Sequence, residues 1–243
     1  MADKSFYLSG LAFEMFIASQ SEENVIIPTE GVLKNSKPEE LHTELYSLLS
    51  NNIIIYNAER NRFDVNEELA LILKSIFSSR AILKVTGNFD FENTIYYYLA
   101  PCGIAKLKNN TIRKCIVLSF VGVNELADSI LSDLNLPEDY RNSNNDTDNF
   151  INSVDEYFKG NDYCVSSEKL EISIDESKKK FEEAVGFIDL ILRKNLNVFS
   201  RIAVYKKSVY YKIARISIDD MSVSNYSRAN FSKAIETMTG EFL

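Results

Sequence analysis

The sequence predicts an α+β fold built from two similar halves, and three observations point to it. An amphipathic helix, a run of short alternating strands and a closing amphipathic helix follow one another over residues 64–136, and the same order returns over residues 175–242. Within the first copy, strand-forming residues alternate with polar ones, as in an antiparallel sheet with one buried face and one wet face. A stretch without apolar residues, RNSNNDTDN from Arg141 to Asn149, separates the copies. It has nothing to bury against the entropy of ordering, so it reads as a mobile linker. The chain is thus expected to divide into an N-terminal α+β half (1–140), a polar linker (141–149) and a C-terminal α+β half (150–243) that shares one sheet with the first.

Residues 5–19 place Leu8, Leu11, Ala12, Met15 and Phe16 at helical spacing, and Phe6, Phe13 and Ile17 make this expected helix apolar nearly all round. After an irregular segment with Pro28, Gly31 and Pro38, residues 39–50 read as a second helix carrying Leu41, Leu45, Leu48 and Leu49, with Pro38 just inside its start. Ile53 to Tyr56 and Arg62-Phe63 flank a polar turn and predict a small hairpin. Asp64 with Glu67 forms a capping box for a helix whose Leu69, Ile72, Leu73, Ile76 and Phe77 share one face. Three strand patterns follow, marked by Ala81/Leu83/Val85, Ile95/Tyr97/Leu99 and Ile112/Ile116/Leu118/Phe120. A helix from Val123 to Leu134, stopped by Pro137, closes the first copy.

In the second copy, Phe181, Val185, Ile188 and Leu192 predict a long helix from Asp175 to Asn195 in spite of Gly186. Strands are expected at Val198–Tyr205 and Val209–Ile218, with a bulge or strand end where the apolar phase slips between Ile213 and Ile216. A helix carrying Phe231, Ala234, Ile235 and Met238 ends the pattern.

Composition narrows the function. The 243 residues are 45% hydrophobic and 26% charged, as in ordinary globular domains able to bury a full core. Cys102, Cys115 and Cys164 are widely spaced, form no C-x-x-C pair and read as reduced, buried thiols. Residues 1–20 lack a signal-peptide pattern, and no apolar run approaches the ~18 residues that span a bilayer, so a cytoplasmic location without membrane insertion is expected. A net charge of −8 opposes nucleic acid and anionic lipid as partners. Lys178-Lys179-Lys180 runs directly into Glu182-Glu183 after Phe181 and reads as a solvated helical face.

The chain offers little reactive chemistry. Its single histidine, His42, lies in a leucine-bearing helix, and its eight glycines form no phosphate-binding loop. Adjacent acidic pairs such as Glu39-Glu40, Glu67-Glu68 and Asp219-Asp220 point in different directions on regular elements and read as exposed charge. Tyr96-Tyr97-Tyr98 and Tyr210-Tyr211 fit a pleated sheet better than a stacking platform for bases. No catalytic residue, cofactor or metal is therefore expected, and the chain reads as a binding protein rather than an enzyme. One segment departs from this pattern. Phe89, Asp90, Phe91 and Glu92 fall between two strands, where polar turn residues belong, and put two phenylalanines beside acidic neighbours. Either the rings are anchors of a partner-binding loop with a polar rim, or they fold back onto the core.

The stretch from Ile53 to Pro137 resembles the EspG family of ESX (type VII) secretion-associated proteins, and more closely its relatives in low-GC Gram-positive bacteria. The course DVNEELALILKSIFSSR, AILKVTG, TIYYYLAP, GIAKLKN, IRKCIVLSF and VNELADSILSDLNLP carries the resemblance. It implies a central antiparallel sheet flanked by helical bundles, with quasi-twofold symmetry between two α/β halves. It also implies a cytosolic chaperone or adaptor that grips the apolar tip of a helical secretion substrate and keeps it soluble for export. Partner contacts in that family imply the Phe89–Glu92 loop and a surface near Phe181 to Asn195 as the matching positions here. The Lys-, Asn- and Ile-rich composition points to an AT-rich genome without the PE-PPE pairs of mycobacteria, so a helical substrate of WXG100-like or LXG type is the expected partner. The alternative is a winged-helix DNA-binding regulator built from helix 39–50, the hairpin and helix 64–79, which the acidic charge disfavours.

Overall fold

A computed structural model describes residues 5–19, 32–87, 94–137, 184–207, 210–217 and 221–243. Strand β1 (Phe6–Ser9) leads directly into helix α1 (Gly10–Ser19). The continuous helix expected over 5–19 is thus divided. Phe6 and Leu8 point into the core while Tyr7 is exposed, the two-residue period of a strand paired with residues 115–118. Glu14 of α1 is buried, and its carboxylate accepts the amides of Val32 at 3.0 Å and Leu33 at 2.7 Å, fixing the start of the short helix α2 (Val32–Asn35). Helix α3 (Pro38–Ser50) begins at the proline, as its sequence position predicts, and Glu40 accepts the Lys37 amide at 2.7 Å.

The predicted hairpin forms from β2 (Ile54–Asn57) and β3 (Arg62–Val65). Helix α4 (Glu67–Ser78) is capped by Asn66, whose Oδ1 accepts the amides of Glu68 and Leu69, and not by Asp64. Asp64 belongs to β3, where it accepts hydrogen bonds from Asn57 at 2.7 Å and Arg62 at 2.8 Å. Strand pairing extends the hairpin through Val65, which moves the cap two residues along the chain.

Strands β4 (Ala81–Gly87), β5 (Ile95–Ala100), β6 (Gly103–Asn110) and β7 (Cys115–Val121) form one meander, followed by a single 3-10 turn and helix α5 (Leu126–Asp133). Strands β8 (Ala184–Leu192), β9 (Asn197–Lys207), β10 (Tyr210–Ser217) and β11 (Met221–Asn225) form a second, followed by helix α6 (Arg228–Thr239). Among the described residues, the nine strands other than the hairpin make one antiparallel sheet in the order β1-β7-β6-β5-β4-β8-β9-β10-β11. The two meanders run outward from the β4–β8 pair, whose register runs from Ala81 opposite Leu192 to Gly87 opposite Gly186.

Three expectations fail here for identifiable reasons. The helix expected over 175–195 is strand β8 from Ala184 onward; AVGFIDLIL is apolar at nearly every position because both faces of the strand are covered, and its glycine disfavours a helix. Ile112 is 94% exposed in the turn between β6 and β7, where Lys114 has φ 49°, so the third strand starts at Cys115. Strand β10 pairs without a register shift, and the irregularities fall instead between β8 and β9 at Ala184/Gly186 and Leu190/Ile191. The linker 141–149 and the Lys178–Lys180 run lie outside the described residues.

The sheet is covered on both faces, which corrects the expectation of one wet face. On one face Leu83, Val85, Tyr97, Leu99, Ile188 and Ile202 pack with α5 and α6 through Ile130, Phe231 and Ile235. On the other, Ile82, Tyr98, Leu107, Ile116 and Leu118 lie beneath α1, α3 and α4, which contribute Phe13, Leu48, Leu69, Ile72 and Ile76. Each fully buried aliphatic side chain in these layers contributes on the order of 1.5–3 kcal/mol. Arg193, in the β8–β9 turn, donates from its guanidinium to the carbonyls of Ile76 at 3.2 Å and Ser79 at 3.3 Å, and to that of Phe77. A cation from the second meander thereby satisfies the last carbonyls of α4, which precedes the first.

Two outcomes follow from this packing. A Cβ at Gly186 would stand 2.7 Å from Leu134 Cδ2 and 2.8 Å from the Thr86 carbonyl oxygen. Gly186→Ala is therefore expected to cost about 1–3 kcal/mol in chemical denaturation, and an unchanged midpoint would contradict the close approach. Burial pushes the hydroxyls of Tyr97 and Tyr98 well above their ordinary value of 10.0, with the Asp133 charge adding to the effect at Tyr97. A raised pKa means that the folded state favours the protonated phenols, so their contribution is complete below pH 10 and is lost as pH rises beyond it. Absorbance titration of the 13 tyrosines should show these two ionising only as the protein unfolds in alkali.

Candidate protein-binding surface

Phe89, Asp90, Phe91 and Glu92 lie outside the described residues, but both of their anchors are fixed. Gly87 ends β4 at the seam between the meanders, and Thr94, buried at 6% exposure, precedes β5. The candidate segment is therefore the connection between two central strands. Leu134, just after α5, reaches over the anchor, its Cδ2 lying 3.3 Å from where a Cβ on Gly87 would be. The seam, the end of β4 at Gly87 and the end of α5 thus meet at one place on the sheet.

A polar network holds α5 there. The Tyr97 hydroxyl donates to Asp133 and lies 2.9 Å from Ser129 Oγ. Lys106 Nζ reaches Asp133 Oδ1 at 2.7 Å and Ser129 Oγ at 3.1 Å, and sits 5.4 Å from the centre of the Tyr97 ring. The sequence hints at this arrangement only through Ser129 and Asp133, four apart on one helix face, and through a lysine alternating into β6. Nothing in a single sequence says that those two patterns face each other.

Between α5 and α6 runs a groove of about 430 Å³ with an apolar floor of Leu126, Ala127 and Ile235. Val123 and Leu243 stand partly exposed at its margins, at 52% and 36%. Arg228 spans the rim to Asp128 at 2.8 Å. Ser227 accepts the Asn230 amide at 3.1 Å and fixes the start of α6. The groove offers apolar contact with a polar border, which suits another protein's side chains more than a reaction centre. The other surface implied by the resemblance, Phe181 to Asn195, is not a helix face where it is described. Ile188 and Leu190 of β8 have no exposure at all, so this strand belongs to the core.

Among the described residues, reactive groups elsewhere do not converge. His42 is exposed on α3, and no three metal-ligating side chains cluster among the described residues. Cys102 and Cys115 are free thiols, but partly exposed rather than buried; Cys164 lies outside the described residues. At Cys102, burial raises the pKa, yet hydrogen bonds with Ser75 and Ser78 and the nearby Lys74 charge outweigh it, leaving the thiol below its ordinary value. The helix–hairpin–helix unit that suggested a winged helix is built onto the large sheet, with Leu69, Ile72 and Ile76 of α4 buried against it.

Removing Asp133 should test how firmly α5 is held. Asp133→Ala leaves a largely buried Lys106 without its carboxylate and is expected to cost about 2–4 kcal/mol. The paired change Lys106→Met with Asp133→Leu should cost clearly less; equal losses in urea denaturation would show that the ion pair is not what anchors the helix.

No protein-family model and no curated protein matches the chain. Among solved structures it is similar to the type VII secretion system chaperone EspG5 of Mycobacterium tuberculosis, determined in complex with a PE25-PPE41 dimer. That likeness has a TM-score of 0.58 and covers 100% of this chain and 97% of the other, at 11% sequence identity. The chain has an EspG-like fold.

Proposed function

We propose that the protein is a cytoplasmic chaperone or adaptor that binds a helical type VII secretion substrate and keeps it soluble for export. The observation that carries this reading is the full-length likeness to EspG5, a secretion chaperone bound to a PE-PPE dimer. In this chain the β4–β8 seam lies beside the end of α5, and the proposed site is taken to lie there. In this reading the apolar tip of the substrate meets Phe89 and Phe91, with Asp90 and Glu92 at the rim, and extends toward the groove between α5 and α6. A helical tip with exposed apolar side chains self-associates unless covered, and a clamp with an apolar floor and charged border covers it reversibly.

The partner is taken to be a WXG100-like or LXG-type helical protein. The halves 1–140 and 150–243, joined by 141–149, are taken as a quasi-twofold repeat with helical bundles beside a shared sheet. Support for the repeat lies in the mirrored strand order about β4 and β8 and in the helix after each meander.

Co-expression with such a substrate should raise its soluble yield, and the two chains should elute together. Phe89→Ala with Phe91→Ala should weaken the complex by about 30-fold or more, the scale of a central aromatic anchor. Val123→Glu, at the groove margin, should weaken it less. A substrate equally soluble alone and never co-eluting would remove the proposal.

A further inference from the structure

The far edge of the sheet lies apart from the seam. Strand β1 is its terminal strand, and among the described residues no strand pairs with the outer side of Phe6–Ser9. An edge strand presents outward-facing amides and carbonyls at alternate residues. Here they border a groove of about 550 Å³ between β1 and the last turns of α3. Leu48 forms an apolar floor, and Ser47, Asn51, Asn52 and Asn66 line the opposite wall. Hydroxyls and carboxamides can both give and accept hydrogen bonds, the chemistry that a peptide backbone matches. Glu44 also lines the groove, half-buried, and its carboxylate has no hydrogen bond or ion pair among the described residues.

We propose that the β1 edge and the α3 groove bind an extended peptide strand bearing a lysine or arginine opposite Glu44. The backbone would extend the antiparallel ladder, as in β-strand addition, and the cation would satisfy the carboxylate. A second copy of this chain fits less well: pairing β1 with its symmetry mate would bring a second Glu44 to the same edge and join two molecules of net charge −8. The feature lies four strands from β4, so it stands or falls separately from the proposed chaperone clamp.

The probe is the blocked peptide acetyl-Thr-Val-Lys-Val-Thr-amide, titrated into the full chain and followed by amide NMR shifts and calorimetry. Saturable shifts confined to Phe6–Ser9 and to 44–53 are expected. Methylating alternate backbone amides of the probe should weaken binding by about tenfold or more, since it removes ladder hydrogen bonds. Replacing its lysine by glutamate, or Glu44→Gln in the protein, should weaken it by about threefold to tenfold. Ser47→Trp, on an exposed position of α3, should block the groove; if that variant misfolds by circular dichroism, the methylated probe and Glu44→Gln decide alone. Binding that tolerates backbone methylation, shifts elsewhere or no saturable shift would overturn the proposal. So would a concentration-dependent dimer in sedimentation, abolished by Ser47→Trp, because it would make a second copy the occupant.

Discussion

The antiparallel pairing of β4 with β8 is the constraint on which the rest of the structure depends. It joins two meanders distant in sequence into one sheet, and its register brings Gly87 opposite Gly186. Where the two glycines meet, no side chain stands above the backbone on that face, and Leu134 fills the space. A helix end can approach the sheet this closely only where there is no Cβ in the way. The position of α5, and with it one wall of the groove, follows from that absence.

Covering both faces of a nine-stranded sheet has an electrostatic consequence. Central strands must then place their occasional polar residues where water does not reach, and each needs a partner. Asp189 and Arg201 sit opposite each other on β8 and β9, both nearly inaccessible, joined by Nη2 to Oδ2 at 2.9 Å and by a second contact from Nε. The guanidinium also lies 4.9 Å from the Phe187 ring centre. On the other face, Lys106 and Tyr97 converge on Asp133. Such pairs gain little over well-packed apolar residues, but loss of one partner is costly, so they tie register and helix placement to particular side chains.

The proposed functions use what this core leaves over. Strand interiors and the inner faces of α1 and α4 are committed to burial, and the described residues assemble no cluster of reactive groups. Among the described residues, what remains available is a groove between two helices and an unpaired strand edge. Both suit binding of another polypeptide, and the chain's acidic balance favours partners that present apolar or basic surface.

Helix α4 and strands β4, β5 and β7 were legible because polar or amphipathic residues still alternate with apolar ones in them: Leu69, Ile72 and Ile76 at helical spacing, Ile95, Tyr97 and Leu99 at every second residue. The α+β class followed from that, whereas the EspG-like course rested on the resemblance of residues 53–137 to that family. Strand β8 is apolar at nearly every position, so no period of two survives in it, which is why AVGFIDLIL read as helix and proved to be a central strand. The hairpin ladder likewise shifted the cap of α4 from Asp64 to Asn66, a choice made by pairing partners rather than by local preference. Local sequence determined the types of most elements and the lack of recognisable catalytic motifs. Only tertiary structure decided that β4 meets β8, that Lys106 meets Asp133 and that β1 ends the sheet, because each is a contact between distant segments whose individual patterns carry no record of the other.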